Sequence, residues 1–329
     1  MAASIREIAR VTAPARRPRA SLEKRTRWAE QILELGVKAV ALVSIASVVL
    51  ILLFVGNEGL PVLTSAAVHR EVTPASLVMP SPTAGFIWQP VSETPKYNIV
   101  PLFVGTLKVT LIALLIAVPL SVLAALFVSE LASRRWREVI KPMIELLAGI
   151  PSVVIGVFAL VVLSTWVQRI FGTEHRLNAL VAGVALSFAI CPIVFSISED
   201  ALRAVPGSYR AASLAMGATR AQTLLRVVLP AASPGILAAT VLGFGRAIGE
   251  TMIVVLASGN AALVDWSFGR STRTVTATIA QELGEVVVGS AHYHVLFALG
   301  VLLFLSTLVV NLVGQHIVVR VRRSLGAVS

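Results

Sequence analysis

Gly235-Ile236-Leu237-Ala238-Ala239-Thr240-Val241-Leu242-Gly243-Phe244-Gly245-Arg246-Ala247-Ile248-Gly249-Glu250-Thr251-Met252-Ile253-Val254-Val255-Leu256-Ala257 is apolar almost throughout. A helix needs about 20 such residues to cross a bilayer. In hydrocarbon the backbone must satisfy its own hydrogen bonds, so a run of this kind predicts an all-α membrane protein. Arg246 and Glu250 interrupt it and are the only ionisable groups between Ala231 and Ala257. A charge at bilayer depth costs roughly 2.5 to 3.5 kcal/mol on insertion scales, so these two are expected to face protein or a water-filled path.

Five other stretches approach the same length, at residues 37–55, 99–128, 143–167, 179–197 and 295–319, giving six expected transmembrane helices. With 56% hydrophobic and 14% charged residues, the chain is too apolar for a soluble protein of 329 residues. Pro119 is expected to kink the second run and Pro151 to interrupt the third, while Lys108 snorkels toward the interface. Of the 28 lysines and arginines, 20 fall in residues 1–38, 134–141, 203–226 and 320–323, all on one side of the alternating topology. The positive-inside rule therefore places both termini in the cytoplasm, and the net charge of +11 reflects topology and anionic lipid rather than nucleic acid. The single Cys191 excludes an intrachain disulfide.

Domain organisation follows from the spans. Residues 1–36 form a basic amino-terminal segment, disordered to Arg19 and with an amphipathic stretch at 21–36; it is too long before the first apolar run for a cleaved signal peptide. Residues 37–55 are the first span, 56–98 a proline-containing external loop, 99–319 the core and 320–329 a cytoplasmic tail. Inside the core, residues 199–234 form a cytoplasmic loop that reads as two short helices. Small residues from Ala211 to Ala215 permit close approach, Gly217 ends the first helix and Pro230 the second. Such a pair suits a docking knob.

Ala211-Ala212-Ser213, Gly217 and, nine residues later, Val227-x-Leu229-Pro230 resemble the EAA loop of bacterial ABC-importer permeases, with Ala211 in place of the usual Glu. Residues 245–252 resemble the signature of phosphate-importer permeases. Three further motifs, Pro101 to Leu107, Ser129-Glu130-Leu131-Ala132 and Ile144 to Ser152, resemble the PstC type. The resemblance covers the chain from about Phe86 onward. It implies a MetI-like permease core of five helices preceded by one extra span. It also implies a PstA-like permease partner, two PstB-like ATPases that bind the ATP and Mg, and a periplasmic phosphate-binding protein.

By that resemblance, Ala211, Ala212, Ser213, Gly217, Leu229 and Pro230 couple the chain to the ATPase, and Arg246, Glu250 and Thr251 lie on the substrate path. Gly149, Pro151, Gly245 and Gly249 are expected at helix packing points or hinges. Arg246 offers a planar fork suited to an oxyanion, and Glu250, four residues on, is expected on the same helix face, holding the guanidinium or accepting a proton-bearing phosphate oxygen. A structural ion pair is the competing reading. No lysine follows a glycine, which excludes a Gly-Lys-Ser/Thr phosphate loop, so the chain is not expected to bind ATP by that route. As a permease by resemblance, it is expected to bind no cofactor and to carry no catalytic residue. His292 and His294 do not share a helical face and predict no metal; Glu282 and Glu285 are expected on a short surface helix. Rival functions are import of sulfate or molybdate, an ATPase-independent carrier or channel, and a purely structural assembly subunit.

Overall fold

The computed structural model describes residues 28–81 and 85–324. The expectations for residues 1–27, including the disordered start and the first part of the amphipathic stretch, lie outside the described residues, as does the end of the tail beyond Ser324. The chain divides into two compact units, Met1–Ile51 and Leu52–Ser329. The described part of the first unit belongs to helix α1 (Trp28–Gly59) and exposes Val40, Leu42, Ile45 and Val49, as a helix surrounded by lipid does.

In the second unit α1 ends at Gly59, and two single-turn helices, α2 (Pro61–Thr64) and α3 (Ala66–His69), follow. Strands β1 (Trp88–Gln89) and β2 (Lys96–Tyr97) then pair antiparallel, Trp88 opposite Tyr97. Next come α4 (Val100–Leu126), α5 (Arg134–Ala148), α6 (Ser152–Phe158), α7 (Ser164–Phe171), α8 (Ala179–Arg203), α9 (Gly207–Ala215) and α10 (Arg220–Thr223). The last are α11 (Leu229–Gly249), α12 (Met252–Ala257), α13 (Val275–Glu282) and α14 (Ala291–Ser324). Three π-helical turns, Phe127–Leu131, Ala159–Leu163 and Leu224–Val228, extend or join these helices. Among the described residues six stretches are long and apolar enough to cross a membrane: Gln31–Thr64, Val100–Leu131, Ser152–Phe171, Ala179–Arg203, Arg220–Gly249 and Ala291–Ser324.

The third and fifth spans are displaced from the sequence expectation. The third begins at Ser152 rather than 143, because Pro151 disfavours helix at Ile150 and because α5 carries Arg134, Arg135, Arg137, Glu138, Lys141 and Glu145 on an amphipathic helix unsuited to hydrocarbon. The fifth runs from Arg220 and stops at Gly249. Pro230 does not end a helix: the π turn at Leu224–Val228 leads directly into α11, and this local widening absorbs the proline that follows it.

Small residues set the core of the second unit, as they do wherever membrane helices must approach closely. Ala182, Ala185 and Gly183 of α8 meet Val109, Ile112 and Ala113 of α4; a Cβ on Gly183 would lie 2.5 Å from Ile112 Cγ2. Gly243 of α11 meets Val194 of α8, and Gly314 of α14 meets Val241 of α11. Lys108 is buried instead of reaching the lipid interface. Its Nζ donates to the carbonyls of Asp265 (2.8 Å) and Ser267 (3.0 Å) in the segment before α13.

The closest backbone approach is at Gly105, where a Cβ would lie 2.1 Å from the Arg273 carbonyl oxygen. Backbone cannot yield as a side chain can. Gly105→Ala is therefore expected to destabilise the chain by about 1 to 3 kcal/mol, checked by thermal unfolding of the detergent-solubilised protein.

Candidate transport path and coupling helix

Arg246 stands on the last turn of α11 with its side chain exposed and without a hydrogen bond or ion pair among the described residues. Its charge sits at the negative end of the helix dipole, a favourable place. Glu250 does not share its face. The helix stops at Gly249, and Glu250 is extended (φ −71°, ψ 131°), so the four-residue spacing no longer places two side chains on one ridge. No ion pair joins the two among the described residues. Thr251 follows, its Oγ1 3.4 Å from the Gly249 carbonyl, and α12 begins at Met252.

The expected glycine and proline positions separate into kinds. Gly149 and Pro151 border the break between α5 and α6, and Gly249 the break between α11 and α12. Among the described residues a Cβ on Gly249 would meet nothing within 4 Å and one on Gly149 only the Leu146 carbonyl at 3.4 Å, so these two are not packing glycines there. Gly245 faces Asn311 of α14, whose Oδ1 would stand 3.4 Å from a Cβ there. The tight contacts fall at glycines the motifs did not single out for packing. At Gly156 of α6 a Cβ would lie 3.1 Å from the Met252 carbonyl of α12.

The loop after α8 is built from strong local signals. Gly217 (φ +83°) ends α9 in the left-handed conformation that glycine adopts without strain. Its N–H donates to Leu214 O (3.0 Å) and that of Ala218 to Ser213 O (3.2 Å), which closes a Schellman motif. Thr219 then caps α10 in a reciprocal capping box with Gln222. Ser213 and Thr223 share a hydroxyl hydrogen bond of 2.9 Å that holds α9 against α10. On the free side α9 buries no residue and exposes Ala211, Ala212, Tyr209 and Leu214, with Met216 88% exposed just beyond it. Leu229 is half-buried and Pro230 exposed at the start of α11.

The sequence reading missed the anchor of this loop. Arg210 of α9 forks onto both carboxylate oxygens of Glu130 in the π turn at the end of the second span, and also donates to Val205 O (2.6 Å) and Leu202 O (2.9 Å). Three elements thereby meet at one guanidinium. Nearby, fully buried Glu199 of α8 pairs with Lys141 of α5 (3.0 Å) and with Arg203 one turn on. An Arg and a Glu some 80 positions apart leave no periodic trace in a sequence.

At the opposite end, Glu282 is a hub and not a surface carboxylate. It receives Trp88 Nε1 (3.1 Å), Arg273 Nη2 (2.7 Å) and His292 Nε2 (2.8 Å), tying β1 and the ends of α13 and α14 together. Helix α13, which Glu282 ends, is buried through Val275, Thr276, Ala277 and Thr278, whereas Glu285 beyond it is exposed. Tyr97 donates to Glu71 (3.1 Å); burial and that carboxylate hold its hydroxyl well above the usual tyrosine range, so it stays a donor at neutral pH. A cleft of about 830 Å³ lies beside this cluster. Among the described residues no group of three or more metal-ligating side chains occurs.

The profile of the family described as "Binding-protein-dependent transport system inner membrane component" matches residues 117–323. The Bacillus subtilis protein described as "Probable ABC transporter permease protein YqgH" is 37% identical over 280 residues, 84% of this chain and 87% of its own length. The phosphate transport system permease protein PstC of Mesorhizobium japonicum is 34% identical over 73% of this chain and 78% of its own, and PstC 1 of Mycobacterium tuberculosis 34% over 69% and 74%. Among solved structures, the bacterial alginate ABC transporter in complex with its pentasaccharide-bound periplasmic protein aligns with TM-score 0.58 at 18% identity, covering 90% of this chain and 98% of that one. The inward-facing MetNI methionine ABC transporter aligns with TM-score 0.50 at 20% identity over 68% and 94%. The fold is thus that of MetI-like importer permeases, and this multi-pass chain belongs to the binding-protein-dependent transport system inner membrane component family.

Proposed function

We propose that this chain is a permease subunit of an ATP-driven importer of inorganic phosphate. An external binding protein delivers the anion, and alternating access carries it inward past Arg246. The observation that supports this best is an unpaired, exposed arginine on the last turn of a membrane helix, in a chain whose relatives over some 70% of its length include PstC phosphate permeases. A guanidinium with no internal carboxylate has its planar donors free for a tetrahedral oxyanion. Glu250 and Thr251 line the break beside it, and Glu250 acts from that break instead of clamping the guanidinium. Transport requires release as well as capture, which a carboxylate near the path favours.

In this reading the basic ends of the spans face the cytoplasm. The exposed face of α9, with Ala211, Ala212 and Met216, docks on an ATPase subunit, two copies of which bind ATP and Mg. A PstA-like permease completes the pathway. The chain itself catalyses no reaction.

Uptake of labelled phosphate by the reconstituted complex of this chain, its partner permease, the ATPase and the binding protein tests the substrate. Unlabelled phosphate is expected to compete, and equimolar sulfate or molybdate to leave uptake unchanged. Equal competition by either would overturn the assignment, and uptake without the ATPase would overturn the ATP-driven mechanism.

A further inference from the structure

The break between α11 and α12 has no proline to cause it. The sequence across it, Ile248-Gly249-Glu250-Thr251-Met252, contains one glycine, and that glycine is still helical. In an uninterrupted helix the Glu250 carbonyl would accept from the N–H of Val254. Here α12 starts one residue later, with Val255 N–H on Thr251 O (2.9 Å), and the Glu250 carbonyl accepts instead from Thr276 Oγ1 at 2.9 Å. The donor is on α13, 26 residues away.

Helix α13 is held where this bond needs it. Its first N–H, of Val275, donates to Thr106 Oγ1 of α4 (3.1 Å), beside the Gly105 backbone contact. Thr274 caps it through the Ala277 N–H. Its far end is fixed by the Glu282 hub described above. Thr274, Val275, Ala277 and Thr278 are all at most 2% exposed. The rod therefore cannot shift without breaking buried contacts at both ends, and Thr276 is the side chain it extends to the break.

We infer that Thr276 is a positioning residue for the transport path: its hydroxyl holds the Glu250 peptide extended, keeps α11 and α12 from joining, and so fixes where Glu250 and Thr251 stand relative to Arg246. This rests on the reading of residues 246–251 as the path.

The test uses the assembled complex in membranes, with Cys191→Ala removing the native thiol and Thr251→Cys placing a reporter in the break. Modification of the residue 251 thiol by a water-soluble methanethiosulfonate is timed in three backgrounds. Thr276→Val, which keeps the shape and removes the hydroxyl, is expected to change the rate by about fivefold, the size expected from one neutral hydrogen bond; Thr276→Ser is expected to restore the parent rate. A valine variant with the parent rate, or a serine variant as altered as valine, overturns the inference. Reactivity is read without any transported anion. Failure of the wild-type complex to carry phosphate would thus reject the substrate assignment and leave this result independent of it.

Discussion

Arg246→Gln is expected to lower phosphate uptake by at least about tenfold while leaving assembly and binding-protein-stimulated ATP hydrolysis in place. Glutamine keeps hydrogen-bonding capacity but loses the charge, and a hydrogen bond to a charged group contributes about 1.5 to 3 kcal/mol, or roughly a tenfold to hundredfold change. Because Arg246 has no partner among the described residues, the substitution orphans no carboxylate there, and its effect on folding should stay within about 0.5 kcal/mol. Arg246→Lys, with a point charge and no fork, is expected to fall between the two. The decisive measurement is uptake per ATP hydrolysed in proteoliposomes at matched expression. Wild-type uptake by the glutamine variant would remove Arg246 from the path.

Arg210→Ala should have the second largest effect, and it should appear as lost coupling. The guanidinium holds α9 to Glu130 and to two carbonyls at the end of α8, with side chains 25% and 18% exposed. Breaking such a half-buried pair costs about 2 kcal/mol, between the values for exposed and fully buried pairs. That is a small part of a domain's stability of about 5 to 15 kcal/mol but enough to loosen a nine-residue helix. The expected result is a several-fold loss of ATPase subunit co-purifying with the permease, and little uptake from the ATP that is still hydrolysed. Glu130→Gln should show the same defect more mildly, and the double variant little more than Arg210→Ala alone, because both remove one interaction. Full ATPase retention with normal uptake in Arg210→Ala would show that the strut is dispensable.

The spans were legible because about 20 apolar residues leave few alternatives in a membrane. The break at Pro151 and the turn at Gly217 were legible because proline and glycine act on their own backbone. Pro230 misled for the same reason: a proline is a stop signal only where its missing N–H and its ring cannot be absorbed, and here the π turn that precedes it absorbs both. The break at Glu250 was hidden, since the acceptor and its Thr276 donor are joined only by the fold. Glu282 belongs to a short helix as expected but not to the surface, because a carboxylate at a helix end gives no sign of the Trp88, Arg273 and His292 that enclose it. Local chemistry can be read along a chain, whereas partners brought from afar cannot.

The three π turns have a mechanical meaning. Each lies within a candidate span, and two have arginines on their carbonyls: Arg137 donates to Val128 O (3.0 Å) and Ser129 O (2.8 Å), and Arg176 to Leu160 O (2.9 Å) and Val161 O (3.2 Å). A π turn stores one residue beyond the α-helical count. Moving that residue along a helix turns the intervening segment by about 100° and shifts it by about 1.5 Å, with most of its ladder re-formed at the new register. Arg137 and Arg176 thus brace the carbonyls at two places where spans two and three depart from the α-helical count.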